Sequence, residues 1–256
     1  MQVELICADC FDPTSGLVAH GPVDHVFGDP AYSDKVHRHH RTSRKGAGGI
    51  RAEQALGFEP LTPAVRRQAA EAFAAVARRW VVLFSDLEGA GAWCEDLAAA
   101  GLEPIQVGLW DKTDPTPQFT GDRPGCPAEA IVVAHAMRGC RPIRKRWNGR
   151  GRALRYRGPA KERGIARVHK TQKPLWLMEA MLRDFTDRGE VVADPFAGSG
   201  TTLVAAKRLG RGACGWERVG TFAAAGRHRI VQARPQLELT DIEPSGPARQ
   251  LKLEDM

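Results

Sequence analysis

The chain has 256 residues, 43% of them hydrophobic, with a formal net charge of +7 and a pI of about 9.3. This supports one large α/β domain with a sizeable core, or such a domain with a small insert, and the basic surplus suggests an anionic partner. No apolar run reaches the roughly 18 residues a membrane-spanning helix needs. The N-terminus, Met1-Gln2-Val3-Glu4, lacks the basic and apolar regions of a signal peptide. The six cysteines are scattered, as in a reducing compartment. Cys7-Ala8-Asp9-Cys10 has no second pair to complete a zinc site, so it reads as two ordinary thiols, and no metal is expected. A cytoplasmic protein is the expectation.

In chain order, Val3 to Ala8 predicts a short strand ending at Asp9. Asp24 to Gly28 predicts another, ending at Asp29-Pro30-Ala31-Tyr32. Strands that end in an acid before a loop fit an open α/β sheet, which binds ligands at its carboxyl ends. Residues 33–60 are basic and glycine-containing and read as a phosphate-seeking loop. Thr62-Pro63 opens a helix expected to run through Arg79, with Val65, Ala69, Ala72, Phe73 and Val76 at helical spacing. Trp80 to Phe84 is a buried strand, Trp93 to Ala100 a helix closed by Gly101, and Pro104 to Trp110 and Ala130 to His135 two more strands. Strands alternating with helices predict a largely parallel sheet.

From Arg138 to Lys170 thirteen Lys/Arg face a single acid, Glu162, with Trp147 and Tyr156 interleaved. That density favours a nucleic-acid contact module over an ordinary solvated face. Residues 173–187 read as a helix, Thr221 to Ala233 as a final basic helix, and the tail from Pro235 as polar.

Between those helices, Val191-Val192-Ala193-Asp194-Pro195-Phe196-Ala197-Gly198-Ser199-Gly200-Thr201-Thr202 reads as a buried strand, a tight glycine turn and a helix start. It lacks the spacing and the Lys of a P-loop, and Leu203 stands where a dinucleotide fingerprint needs its third glycine. Glu217, 19 residues after Gly198 and at the end of a second apolar piece, is placed to accept hydrogen bonds from a ribose.

Three motifs then stand together. Asp29-Pro30-Ala31-Tyr32 resembles the Asp-Pro-Pro-Tyr box of the DNA amino-methyltransferases. Asp194 to Thr202 resembles their S-adenosylmethionine loop, and His169-Lys170-Thr171-Gln172-Lys173-Pro174 the segment that precedes it. The box comes first and the loop last, an order similar to the β class. The resemblance covers residues 2–232. It implies a Rossmann-like class I methyltransferase fold, circularly permuted, with a mostly parallel seven-stranded sheet and a small basic recognition insert. Its divisions would be a catalytic part over 1–136, the insert over 137–168, a cofactor-binding part over 169–233 and a polar tail over 234–256. Ala31 and Lys170 depart from the family pattern, where Pro is usual at both places.

The resemblance implies methyl transfer from S-adenosylmethionine to the N6 amino group of adenine in double-stranded DNA. Asp29, Pro30 and Tyr32 would be catalytic: two acceptors for the amino group and a stacking face for the flipped base. Asp194, Phe196, Gly198, Gly200, Thr201 and Thr202 would surround the cofactor, with Asp29 beside it. Glu217 would hold its ribose, Asp9 its adenine amino group, and Lys173 its carboxylate; Asp9 also reads as a turn residue, and Lys173 as a structural cap. Arg38, Arg41, Arg44 and Lys45 would close over the DNA backbone, and Arg144, Lys145, Arg146, Arg150, Arg152 and Arg155 contact phosphates or guanines. Asp at position 29 favours adenine, since cytosine-N4 members more often carry Ser there, but either side chain can accept from an amino group, so cytosine-N4 transfer is the close alternative; a non-catalytic DNA-binding protein and an RNA substrate are others, and a homodimer stays open.

Overall fold

Continuous apolar runs build the centre of the molecule. A computed structural model of the protein describes residues 1–31, 61–115, 125–138, 141–142, 147–162, 168 and 171–236. The strands are β1 (Val3–Ile6), β2 (His25–Gly28), β3 (Trp80–Ser85), β4 (Glu103–Lys112), β5 (Ala128–His135), β6 (Met137–Arg138), β7 (Arg141–Pro142), β8 (Arg155–Gly158), β9 (Val191–Asp194) and β10 (Gly212–Trp216). The helices are α1 (Leu17–His20), α2 (Pro63–Val76), α3 (Ala90–Ala99), α4 (Leu175–Phe185), α5 (Thr201–Arg208) and α6 (Gly220–Gln232).

β3 is buried at every position. Its Trp80, Val82 and Phe84 enter one apolar cluster with Leu177 and Met181 of α4, Leu203 of α5 and Ile230 of α6. Val81 and Leu83 enter a second cluster with Leu17 of α1, Phe73 of α2 and Trp93 and Leu97 of α3. A strand covered on both faces needs no polar alternation, so its sequence is unbroken hydrophobic from Trp80 to Phe84.

The main sheet has the order β1-β10-β9-β2-β3-β5-β4-β8, and β6 and β7 form a separate ribbon. β1, β10, β9, β2 and β3 are parallel to one another, β5 is antiparallel to both β3 and β4, and β8 is parallel to β4. The sheet therefore has eight strands, not the expected seven. The extra strand, β8, comes from the basic segment. There Tyr156 and Gly158 face inward while Arg155 and Arg157 face solvent, a period-two alternation masked by the density of arginines. Residues 147–158 are thus tied to the main core: Tyr156 is buried in the first cluster, and Trp147 packs against it.

Helix ends follow local chemistry. Thr62 Oγ1 accepts from the Val65 N–H at 3.3 Å, and Pro63 occupies the first turn of α2. The helix stops at Val76 rather than Arg79, because Ala77 turns extended and bridges to Val23 beside β2. Gly101, at φ 89°, follows α3.

β10 passes close under the loop that joins β9 to α5. A Cβ at Gly215 would sit 2.8 Å from Leu203 Cδ1 and 2.9 Å from Ala197 Cβ. Gly215→Ala is therefore expected to cost about 1–3 kcal/mol by overpacking. A fall in the urea midpoint measures it; an unchanged midpoint would show that the loop can move aside freely.

Candidate active site

The sheet order brings together segments from opposite ends of the chain. β2 and β9 are neighbours, with His25 opposite Val192 and Val26 opposite Ala193. Asp29 follows β2 directly and Asp194 ends β9, so both carboxylates stand at the carboxyl edge of adjacent parallel strands. Next along that edge, β1 and β10 pair with Ile6 opposite Trp216, and the Glu217 N–H donates to Ile6 O at 3.0 Å. Asp9 and Glu217 extend the same row. This is the edge at which open α/β sheets bind ligands.

A cleft with about 360 Å³ of empty space opens at Asp29 and Asp194. Its walls are the 194–199 loop, the start of α5 and the Thr171–Lys173 segment, with Phe84 beneath. Gly200 is left-handed at φ 73° and caps α5, so Thr201 and Thr202 begin a helix whose first N–H groups have no side-chain cap. Such a helix start favours polar or negative ligand groups. The loop is held from behind: the Arg229 guanidinium donates to Ser199 O at 2.6 Å, Ser199 Oγ at 2.9 Å and Thr201 Oγ1 at 3.1 Å. Gln172 Oε1 accepts from Ser199 Oγ at 3.0 Å and from the Val168 N–H at 3.0 Å. Phe196 is fixed by edge-on contacts with Phe11 and Phe73 at centroid distances of 6.5 and 6.3 Å.

Asp194 is 3% exposed and accepts from the Phe196 N–H at 3.0 Å and from the Thr202 side chain. Burial pushes its carboxyl up to about 7, against the lowering effect of those hydrogen bonds; the charges of Asp29 and Glu217 add to the rise.

Asp29 meets the Lys173 ammonium at 2.5 Å, while 24% of its side chain faces the cleft. Lys173 also meets Glu129 Oε2 at 3.2 Å, and Glu129 Oε1 meets Lys112 Nζ at 2.5 Å. Burial raises the Asp29 carboxyl, Lys173 opposes this, and Glu129 adds to it. Burial disfavours the Lys173 ammonium, but Asp29 and Glu129 outweigh it and hold its pKa above the ordinary lysine value. Both partners shift upward, Asp29 chiefly through burial and Lys173 chiefly through the Asp29 carboxylate, and the charge of Glu129 adds to each.

Pro30 is buried behind Asp29. Asp9 Oδ1 accepts from the Phe11 N–H at 2.9 Å, and Arg218 approaches its Oδ2 at 3.5 Å, so Asp9 makes a local turn. Glu217 Oε1 accepts from the Val219 N–H at 2.6 Å. Arg150, Arg152 and Arg155 are exposed. Arg152 pairs with Asp184, which also accepts from Tyr156 Oη at 2.8 Å; Arg155 pairs with Asp111. Tyr32, Arg38, Arg41, Arg44, Lys45, Arg144, Lys145 and Arg146 lie outside the described residues. Cys10, of the C-x-x-C, has a thiol pushed up to about 12 by burial and then by the charge of Asp9.

Sequence reasoning missed Glu129, Lys112 and Arg229. A lone acid opening the apolar run Ala130–Ala134 was the available signal for Glu129. Gln172 lay inside a quoted motif, but its bond to Ser199 depends on tertiary packing.

Residues 141–224 match the family model described as DNA methylase. YubD of Escherichia coli K12, a protein named as a methylase, is 36% identical over 72 residues, 28% of this chain and 32% of its own. The type II methyltransferase M2.DpnII of Streptococcus pneumoniae is 44% identical over 62 residues, 24% of this chain and 23% of its own. The alignments thus span about a third and a quarter of those relatives' lengths. Solved structures extend the likeness across the fold. A complex of M1.HpyAVI with SAM superposes at a TM-score of 0.67 and 20% identity, covering 90% of this chain and 100% of that one. The cytosine-N4-specific PvuII DNA methyltransferase gives a TM-score of 0.64 at 14% identity, covering 90% and 86%. At these identities the structural likeness is one of fold. The chain thus carries a segment that matches the DNA methylase family model, on a fold similar to that of solved DNA methyltransferases.

Proposed function

We propose that this protein transfers a methyl group from S-adenosylmethionine to the N6 amino group of adenine in duplex DNA, after the base has flipped out. The observation that carries the reading is the pairing of β2 with β9, with Asp29 and Asp194 at one cleft. A base held at Asp29 and a cofactor held by the loop after Asp194 are then neighbours without any rearrangement of the sheet.

The residues present suit the cofactor. Asp194, Glu217 and Asp9 offer acceptors for hydroxyl, amino and ammonium groups, Phe196 offers an aromatic face, and the carboxylates complement a sulfonium cation. S-adenosylmethionine, when bound, supplies an electrophilic methyl group. Lys173 is engaged with Asp29 and Glu129, so a further role toward the cofactor carboxylate would share an ammonium already held on two sides.

The amino nitrogen of adenine is a poor nucleophile because its lone pair is delocalised into the ring. Acceptors on both N–H bonds favour a tetrahedral nitrogen and free that pair. The Asp29 carboxylate and the Pro30 carbonyl oxygen are suited to this, and they act by positioning and electrostatics with no covalent intermediate on the base. Asp29 can accept the departing proton, and burial, by raising its carboxyl, makes it a better base. Flipping costs a few kcal/mol, and stacking on Tyr32 would return roughly 1–3 kcal/mol. An Asp at position 29 supports adenine by analogy, since cytosine-N4 members more often carry Ser there.

The test is expression in a methylation-free host, with modified bases mapped by single-molecule sequencing. N6-methyladenine at a defined site is expected. Modified cytosine alone would assign the cytosine-N4 reaction, and no modification of any DNA would remove the enzyme reading.

A further inference from the structure

Four charges alternate in a row through the floor of the site, the middle two buried and the end two partly open: Asp29, Lys173, Glu129 and Lys112. They come from four places in the fold: the end of β2, the segment before α4, the first turn of β5 into the core, and the end of β4. Glu129 and Lys173 are each only 9% exposed. Burying charges is costly, and an apolar replacement of similar volume is commonly neutral or stabilising. Stability alone therefore explains such a row poorly. Glu129 spends one oxygen on each ammonium, Oε2 at 3.2 Å from Lys173 and Oε1 at 2.5 Å from Lys112. The Lys173 ammonium also lies 4.7 Å over the Phe84 ring. Held by a carboxylate on either side and a ring beneath, it cannot swing on its long stem, and it presents a fixed donor to Asp29 Oδ2.

We infer that Glu129 is a positioning residue for methyl transfer, fixing the Lys173 ammonium that orients Asp29 toward the amino group. This rests on the proposed function, in which Asp29 is the acceptor. Glu129 is not among the residues that line the cleft; it acts through Lys173, which is. Lys112 compensates the second oxygen of Glu129, so the row is electrically balanced and Asp29 is not overwhelmed by a bare cation.

A charge role has a signature that packing lacks. Among the described residues, the groups facing the pair include Glu129 and Lys112 from β5 and β4, and Asp194 from β9. Glu129 raises the pKa of both Asp29 and Lys173. Removing its charge lowers both, so the acid and the alkaline limbs of the rate profile should move toward lower pH together.

The experiment uses the full chain and unmethylated genomic DNA from a methylation-free host. kcat, KM for DNA and cofactor affinity are measured for wild type, Glu129→Gln and Glu129→Asp across pH. For Glu129→Gln, kcat is expected to fall about tenfold with cofactor affinity within about twofold, and both limbs to shift together toward lower pH. Glu129→Asp keeps the charge and should restore the limbs while recovering only part of kcat. Wild-type limbs and kcat in Glu129→Gln would overturn the inference and leave the proposed function standing; no transfer by wild type would instead remove the function on which it rests. Should Glu129→Gln not fold, Glu129→Asp decides by itself: a rate reduction with limbs in place supports positioning, and a wild-type rate overturns it.

Discussion

Asp29→Ala is expected to lower methyl transfer by at least about 10³-fold while much of the DNA binding remains. The carboxylate sits at the carboxyl end of β2, 24% of its side chain open to the cleft, with Lys173 on one oxygen. Truncation removes the acceptor that would draw a proton of the amino group and orient the nitrogen lone pair. It leaves the loop after Asp194 unaltered, so cofactor affinity should stay within a fewfold of wild type. A stability cost also follows, because a buried ammonium loses one of its carboxylates. Lys173 retains Glu129 at 3.2 Å and Asp29 is partly solvated, so that cost should be about 1–2 kcal/mol rather than the 3–5 of a fully orphaned charge. Asp29→Asn keeps an acceptor oxygen but no charge, and should retain more activity than Ala. Single-turnover rates at saturating cofactor, alongside gel-shift affinity for the same DNA, separate chemistry from binding. If Asp29→Ala turned over within tenfold of wild type, the carboxylate could not be the acceptor.

The central sheet was legible because its strands are continuous apolar runs between acids and glycines, and Trp80–Phe84 or Val191–Ala193 can hardly be read otherwise. The neighbourhood of Asp29 and Asp194 was legible only through motif order, since nothing local in either stretch says that their strands pair across a separation of 165 positions. β8 was hidden because its inward residues are a tyrosine and a glycine flanked by arginines, and composition dominated a four-residue alternation. The same density made Arg152 and Arg155 candidates for phosphate or guanine contacts. In the fold they pair with Asp184 and Asp111, residues 32 and 44 positions away, while 59% and 57% of their side chains remain exposed. Glu129 was missed for a related reason: its one signal, an acid at the head of an apolar strand, also reads as a strand end. Only the assembled sheet puts it against a lysine from a different segment.

Asp194→Asn is expected to raise stability at neutral and alkaline pH while weakening cofactor binding. The carboxyl is held at about 7 in the folded protein against 3.8 as its ordinary value. The folded chain therefore binds this proton more tightly than the unfolded chain. Its contribution is fully present below about pH 4 and is lost as pH rises through about 7. A shift of that size corresponds to at most about 4 kcal/mol, and a gain of about 1–3 kcal/mol is the expectation for the variant at pH 8. Near pH 4 the wild-type group is already neutral, and the two proteins should unfold alike. Asn can still accept from the Phe196 N–H, so the loop keeps its turn. What it loses is the charge that complements a cationic cofactor. Binding of S-adenosylmethionine by wild type should strengthen as pH rises through about 7, because the ligand favours the ionised carboxylate, whereas binding by Asp194→Asn should be at least about tenfold weaker at pH 8 and nearly flat with pH. Thermal melts at pH 5 and pH 8, paired with calorimetric titration of the cofactor, read both effects. An equal stability change at the two pH values would mean that the buried charge is not its source. A cofactor affinity that ignores pH in wild type would mean that Asp194 does not face the bound cation. Both results together would leave Asp194 as a turn residue of the loop, and the strain of burying an acid beside Asp29 and Glu217 would need another beneficiary.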